Sequence, residues 1–141
     1  DAANPCGFNF YYKKYKMSVA TDIGHMTNNI IENLENSSFI LLESNYDNNI
    51  LKCSRYPYSL KQRISGPNGH LSNDLAGKTI SYLKKTGLKT AILGHLSKEN
   101  NFPELAYKTV VEELINNSID ENDINISVAT RYKSTPLFNL A

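Results

Sequence analysis

Four side chains of the sequence are suited to holding a metal ion or moving a proton: Asp22, Glu43, His70 and His95. Each follows a predicted strand or loop at the point where it ends. A carboxylate and an imidazole brought from different strand ends to one edge of a sheet are ligand types used for zinc, manganese or iron. Two such cations can activate water and stabilise the phosphoryl oxygens during an in-line attack.

Asp22 and His95 also have simpler interpretations. A carboxylate at the end of a strand often caps the turn that follows it. A histidine in the same position is often half-buried and bonds to a nearby carbonyl. These alternatives stay open as long as only residue types and spacing are considered.

Strands must position these residues, and two uninterrupted apolar runs, residues 39–42 and 90–93, predict buried strands. The first run leads into Glu43, and the second leads through Gly94 into His95. Open α/β sheets bind their ligands outside the carboxyl ends of such strands. Alternating apolar and polar residues predict further strands at 7–12, 16–21 and 124–129, and residues 134–140 are expected to add an edge strand.

Helices are predicted between the strands, so the chain is expected to have the α/β class. Thr27 and Ser72 are suited to capping the starts of two helices, and Gly87 to ending the second in a left-handed conformation. Pro103 stands in the first turn of a helix over 103–117. Shorter helical segments are predicted at 48–52 and 59–64.

Composition restricts the function classes. The chain has 141 residues, 40% hydrophobic content and a net charge of +1, which suits one compact domain or a large part of one. This charge balance excludes a polybasic nucleic-acid arm but not a local basic groove. Cys6 and Cys53 form no CxxC pair and are expected to be free thiols in a reducing cytoplasm. No membrane span or secretory signal is predicted.

Several motifs in the right order resemble the C-terminal half of metallo-β-lactamase-fold hydrolases, in particular the bacterial YycJ/WalJ group. They are ATDIGHMT (20–27), LLESNYD (41–47), SLKQRISGPNGHLSN (59–73), GHLSKENNFPELA (94–106) and VATRYKSTPLF (128–138). The resemblance implies the C-terminal half of an αββα sandwich. It also implies a metal-dependent phosphodiesterase that uses metal-bound hydroxide, with a DNA exonuclease role.

The resemblance also implies roles for individual residues. Asp22 matches the aspartate that bridges two metal ions, and His95 matches a histidine that binds one of them. The segment containing His70 is similar to one in the transfer-RNA-processing nuclease of this superfamily, where a histidine contacts the scissile phosphate or protonates the leaving oxygen. Glu43 is similar in place to the acidic residue that orients that histidine. A carboxylate in solvent or a helix cap is an equal alternative for Glu43.

Four further residues are expected near the substrate. Lys61 and Arg63 are candidates for phosphate contacts, although exposed basic side chains are often simply solvated. Ser97 and Asn100 follow His95 closely. They are expected either to order the loop that carries His95 or to touch the substrate.

One departure from the family is large, because its HxHxDH motif does not occur in this sequence. Residues 1–3 resemble the segment that follows a further metal histidine. Residues 1–141 are therefore expected to be a single partial domain that lacks the N-terminal half and binds metal poorly alone. The parent is expected to hold two divalent ions, zinc or manganese. A half sandwich would also leave one sheet face bare and favour self-association.

The function expected from these observations is phosphodiester hydrolysis, with DNA favoured over RNA as the partner and no membrane partner. The fragment alone is expected to be inactive. Two alternatives remain open. One is an enzyme of the same fold that acts on RNA or on a small phosphoester, because fold does not determine substrate. The other is a catalytically inert α/β binding module.

Overall fold

The computed structural model describes residues 5–139 and shows one mixed five-stranded sheet with the strand order β1-β2-β3-β4-β5. The first two strands form an antiparallel hairpin, and each later strand runs parallel to its neighbour. The strands are β1 (Phe8–Tyr12), β2 (Tyr15–Ala20), β3 (Phe39–Glu43), β4 (Thr90–Gly94) and β5 (Asn125–Val128). Parallel strands need crossover connections, and helices provide them here.

The helices are α1 (Asn28–Leu34), α2 (Asn48–Cys53), α3 (Tyr58–Ser65), α4 (Asn73–Lys85) and α5 (Pro103–Asn116), followed by a 3₁₀ turn (Glu121–Asp123). The predicted caps are confirmed. The side chain of Thr27 accepts a hydrogen bond from the Ile30 amide, and that of Ser72 accepts one from the Leu75 amide. Gly87 adopts φ +110° just after α4, where a residue with a Cβ would be strained.

One face of the sheet forms the hydrophobic core. Ile40, Leu42, Ala91 and Leu93 alternate along β3 and β4 and are fully buried. They belong to one cluster with apolar side chains of α1, α4 and α5. This cluster fixes the two central strands, and therefore the loops that leave their carboxyl ends.

The other face is also apolar, but it is less covered. Cross-strand partners share a face, which places Phe8 with Val19, Phe10 with Met17, and Val19 with Leu41. Phe8 and Phe10 are exposed, and the other three are only partly buried. None of these five side chains belongs to the core cluster. We call these five residues the open face.

The structure confirms the α/β class and shows a single sheet within residues 5–139. The predicted edge strand at 134–140 is wrong for residues 134–139, which have no regular structure, and residue 140 lies outside the described residues. Pro136 has no amide hydrogen to donate to a strand ladder. Instead, Phe138 packs edge-on against Phe39 at a centroid distance of 5.6 Å.

Two expectations from composition can be compared with the described residues. No helix among them is long and apolar enough to cross a membrane. Cys6 and Cys53 are free and exposed. Residues 1–3, whose sequence resembles the segment after a metal histidine, lie outside the described part of the chain.

Candidate metal centre

The carboxyl ends of three adjacent parallel strands bring the predicted residues together. Asp22 lies two residues beyond β2, Glu43 is the last residue of β3, and His95 directly follows β4. His70 approaches from the turn between α3 and α4, where its amide donates to the Ile64 carbonyl at 2.8 Å. One ligand atom from each of these four residues lies within 4.8 Å of the others.

Glu43 is the centre of the cluster. Its side chain is 0% exposed, and its Oε1 atom lies 2.7 Å from Nδ1 of His70 and 2.6 Å from Nδ1 of His95. Its Oε2 atom accepts hydrogen bonds from the Ile23 amide at 3.0 Å and the Leu71 amide at 3.3 Å. The alternative of a carboxylate in solvent is therefore wrong, because the carboxylate is buried with four donors around it.

These bonds determine which imidazole nitrogens remain for a ligand. When Nδ1–H of each ring donates to Glu43, the Nε2 lone pair of each neutral ring is left for another partner. Nε2 of His95 lies 3.8 Å from Oδ1 of Asp22. A carboxylate that holds the far nitrogen of a metal-binding histidine is the usual arrangement around bound metals, and it fixes the ring orientation.

The other three members of the cluster face outward. The side chain of Asp22 is 35% exposed and that of His95 is 42% exposed, whereas that of His70 is 16% exposed. The two imidazole rings lie 5.3 Å apart between their centroids. The cluster therefore has a buried base and an accessible side, as a site for a ligand requires.

The electrostatics of the cluster favour an ionised Glu43. Burial by itself would raise the pKa of Glu43, but the hydrogen bonds from His70 and His95 together lower it below its usual value. The pKa of His95 is raised, mainly by its hydrogen bond to Glu43 and against the effect of its own partial burial. Without a cation at the site, Glu43 and His95 therefore each stabilise the charged form of the other.

Asp22 and His95 share an uncommon backbone conformation, since both have φ of +58°. Non-glycine residues in this region are uncommon, and such strain persists only where the surroundings hold it in place. The bond from the Ile23 amide to Glu43 holds the turn of Asp22. The Asn45 side chain donates to the carbonyl of His95 at 2.6 Å. Lys13, Asn36 and Ser118, which are outside the cluster, share this conformation, so the positive φ by itself does not mark a functional residue.

A buried network of amides lies behind Glu43. Asn73 and Asn101 exchange side-chain hydrogen bonds of 3.1 and 2.8 Å. Nδ2 of Asn101 also donates to the carbonyls of Ser44 and Asn45, and the Ser44 hydroxyl donates to Asn73. The network ties together the loop after β3, the start of α4 and the loop after β4. It therefore joins the segments that carry Glu43, His70 and His95.

The turn that carries Asp22 also packs tightly against the turn before His70. A Cβ atom on Gly24 would lie 2.5 Å from the carbonyl oxygens of both Gly66 and Pro67. Only glycine allows this approach without moving backbone. His25 lies beside this contact, where its exposed ring bonds the Pro67 carbonyl, and it is not part of the cluster.

The four residues predicted near the substrate lie at different places. Lys61 is on α3 and its Nζ donates to the Lys52 carbonyl, and Arg63 is exposed on the same helix. The Ser97 hydroxyl accepts bonds from the Asn100 amide and side chain. Asn100 is buried, so the geometry favours loop ordering over substrate contact for this residue. Substrate contacts by Lys61, Arg63 and Ser97 stay predictions.

The donor set fits a divalent transition metal. Imidazole nitrogen and carboxylate oxygen suit zinc, manganese and iron, whereas a calcium or magnesium site would be built from oxygen atoms alone. Asp22, His70 and His95 each offer a ligand atom to the cluster, whereas Glu43 is engaged by the two Nδ1 atoms and two amides. These residues supply at most three ligands, one fewer than a closed structural zinc site.

Comparison with known proteins identifies relatives of one kind. Exodeoxyribonuclease WalJ of Streptococcus pneumoniae serotype 2 is 37% identical over 114 residues, which cover 81% of this chain and 42% of the relative. Exodeoxyribonuclease YycJ of Bacillus anthracis is 32% identical over 114 residues, which cover 81% of this chain and 43% of the relative. No protein-family profile matches the chain.

These matches confirm the predicted resemblance to the YycJ/WalJ group. The chain spans less than half the length of the curated relatives that it matches. A metallo-β-lactamase-like fold is only implied by the names of those relatives. The described residues themselves show an α/β sheet with a cluster of candidate metal ligands at its carboxyl edge.

Proposed function

We propose that this chain forms the carboxyl-terminal part of a metal-dependent exodeoxyribonuclease with a metallo-β-lactamase-like αββα fold. The observation that carries the proposal is the cluster built on Glu43, in which two imidazoles and a second carboxylate converge beside the ends of three parallel strands. The relatives named exodeoxyribonucleases support DNA as the substrate.

Each residue of the cluster has a distinct task in this proposal. Asp22 and Nε2 of His95 hold the cation, and Glu43 orients both imidazoles without touching the substrate. His70 is hydrogen-bonded to Glu43 through Nδ1, so its Nε2 can contact a phosphate oxygen or pass a proton to the leaving oxygen. A divalent cation supplies Lewis acidity toward the phosphoryl oxygens and lowers the pKa of water.

The site needs more ligands than residues 5–139 provide. We propose that a longer parent contributes an HxHxDH segment, holds two zinc or manganese ions and is active, whereas the 141-residue chain is not. A carboxylate and one or two imidazoles leave the coordination sphere open, which lowers metal affinity. The free and exposed cysteines support a reducing, cytoplasmic setting.

The test uses the longest natural protein that contains this sequence, with end-labelled DNA, RNA of the same sequence and a small phosphodiester as substrates. We expect manganese- or zinc-dependent release of nucleotides from DNA ends. Asp22→Asn and His95→Asn should lose both metal and turnover, whereas His70→Asn should keep metal and lose turnover. Preference for RNA or the small ester would replace the substrate assignment.

An inert binding module is the alternative that this experiment separates from an enzyme. It would bind DNA in a salt-sensitive way without any turnover, and the three substitutions would leave that binding unchanged. Absence of turnover with a full metal complement would also contradict the proposed reaction.

We further propose that the open face associates with a second copy when the chain is alone in solution. Contiguous exposed apolar side chains on one sheet face favour such association. Replacing Phe8 and Phe10 by serine should shift the sedimentation of the 141-residue chain toward the monomer. A wild-type chain that sediments as a monomer at all concentrations would contradict this.

A further inference from the structure

A cavity of about 650 Å³ is lined by His95, whereas Asp22, Glu43 and His70 are not among its lining residues. Its walls come from the loop between β4 and α5 and from residues 129–132 after β5. Because His95 lines the cavity, a substrate whose phosphate lies at the metal cluster has to extend either into this cavity or past it. The side chains that line the cavity therefore indicate which substrate group can lie next to the phosphate.

Two aromatic rings line the cavity and are largely open to solvent. Phe102 is 48% exposed and Tyr132 is 84% exposed. Phe102 occupies the N-cap position of α5 and makes no side-chain capping bond there. Serine, threonine, aspartate or asparagine would stabilise that position by about 1 kcal/mol. A residue that lowers the stability of a helix end and exposes an aromatic ring is typical of a binding surface.

Two charged residues line the cavity, Lys98 and Arg131, and both are basic and exposed; among residues 5–139, no acidic residue lines it. One guanidinium nitrogen of Arg131 donates to the Leu96 carbonyl at 2.6 Å, which fastens the segment after β5 to the loop of His95. Arginine has further donors, so the others remain for an anion. The cavity thus combines ring faces with positive charge.

We propose that this cavity binds the nucleotide next to the scissile phosphate of a single-stranded DNA end. The base stacks on Phe102, and Lys98 and Arg131 hold the adjacent phosphate. Stacking on an aromatic ring is tolerant of sequence because every base has a π face, and cations along the groove follow the backbone. The proposal rests on the proposed function only for the position of the scissile phosphate; the stacking and the ionic contacts need no metal.

The test is equilibrium binding of a fluorescein-labelled thymidylate hexamer to the 141-residue chain, in EDTA and at low salt, followed by anisotropy. Phe102→Ala should weaken binding about 5- to 100-fold. The matched control is Tyr107→Ala, an exposed aromatic residue on the same helix that does not line the cavity. A hexamer with the same backbone but no bases should bind wild type and Phe102→Ala equally.

A second variant separates the ionic contact from the stacking contact. Lys98→Ala should reduce the slope of log affinity against log salt by about 0.7, the value for one phosphate of a single strand. Lys108→Ala is its control, since that exposed lysine pairs with Glu112 on the far part of α5. A smaller salt dependence in Lys98→Ala, with no change in Lys108→Ala, supports a contact between Lys98 and a phosphate.

The outcomes distinguish this proposal from the nuclease proposal. If Phe102→Ala and Tyr107→Ala bind the hexamer equally, or if wild type does not bind it, the nucleotide site is overturned whatever the nuclease assay gives. If Phe102 is required for hexamer binding in EDTA but the longer protein shows no turnover, the nucleotide site stands and the nuclease proposal fails. Circular dichroism of each variant checks that the fold is retained.

Discussion

The four-residue cluster and the amide network behind it form two layers. The inner layer consists of Glu43, Ser44, Asn73 and Asn101, and the outer layer consists of Asp22, His70 and His95. Every residue of the inner layer is buried, and both carboxylate oxygens of Glu43 and both amide groups of the asparagine pair are hydrogen-bonded. The outer layer is partly exposed, and Asp22 and His95 are in a strained backbone conformation.

This difference indicates that the inner layer supports the site and that the outer layer binds ligands. Buried polar groups that are fully satisfied rigidify a structure, whereas partly satisfied ones are costly. Each carboxylate oxygen of Glu43 already accepts two hydrogen bonds, and Asn73 and Asn101 bond each other, so the role of the inner layer is to fix the positions of other groups. The side chains of the outer layer are partly exposed to solvent, so substitutions there should affect binding far more than stability.

The largest effect is expected for Glu43→Ala. It removes the acceptor of two imidazoles and two amides in a buried position. Breaking a buried, hydrogen-bonded charge costs about 3–5 kcal/mol in the free energy of unfolding. Urea unfolding of the 141-residue chain measures this cost, with the exposed Glu32→Ala on α1 as the control. A loss similar to that control would show that Glu43 does not hold the cluster together.

Asn101→Ala should come next. The substitution removes the hydrogen-bond partner of the Ser44 carbonyl and of the Asn73 side-chain Nδ2 in a buried position. We expect a loss of about 2–3 kcal/mol in unfolding free energy, in the range for a buried unsatisfied group. Asn49→Ala, at an exposed position of α2, should change it by less than about 0.5 kcal/mol. Equal effects of the two substitutions would contradict the supporting role of the amide network.

Gly24→Ala tests whether the spacing between the two turns positions the outer layer. The new methyl group would overlap the carbonyls of Gly66 and Pro67, which forces the turn of Asp22 away from the turn of His70. Overpacking of this kind costs about 1–3 kcal/mol, and we expect metal affinity of the longer protein to fall at least about tenfold. Gly7→Ala is a milder control, because its Cβ would meet one carbonyl at 3.0 Å. Unchanged metal affinity in Gly24→Ala would show that the turns adjust independently.

The smallest expected effect is on the pH dependence of stability without metal. The pKa of Glu43 is lowered below 4.5, so its contribution is present above that value and is lost as pH falls through the lowered pKa. The pKa of His95 is raised above 6.5, so its contribution is present below 6.5 and is lost as pH rises through the raised pKa. The two contributions are therefore both fully present between pH 4.5 and pH 6.5.

Unfolding in urea between pH 4 and 9 checks this dependence. Since the His95 side chain is 42% exposed and screened by solvent, the decline above pH 6.5 should be less than about 1 kcal/mol. His95→Asn should remove that decline and weaken the acidic limb, because His95 is one of the two imidazoles that lower the pKa of Glu43. A decline that persists in His95→Asn would assign the titration to another group.

Local signals made much of the fold predictable. Several features determine the local structure within a few residues, and the structure has all of them. They are the apolar runs of β3 and β4, the capping residues Thr27 and Ser72, and the left-handed Gly87. The meeting of Asp22, Glu43 and His95 followed from the rule that parallel strands share a carboxyl edge. His70 was a candidate from its residue type and its place in a loop, and only its role at the phosphate or the leaving oxygen depended on the family resemblance.

The amide network could not be predicted, because its signal is not local. Ser44 and Asn73 are 29 residues apart, and Asn101 bonds the carbonyl of a residue 57 positions away. Asparagine occurs in many loops of this chain, so nothing in the sequence marks Asn73 or Asn101 as buried. For the same reason the sequence left open whether Asn100 orders the loop of His95 or touches the substrate, and its burial favours the first alternative.

The most direct test of the central claim is the metal content of the longest natural protein that contains this sequence. Elemental analysis should be made on wild type, Asp22→Asn and His95→Asn, because asparagine tolerates the left-handed backbone at both positions. The account predicts about two divalent ions per wild-type chain, a marked loss in both variants, and less metal in the 141-residue chain. A metal-free wild-type protein, or variants that keep their full complement, would contradict it.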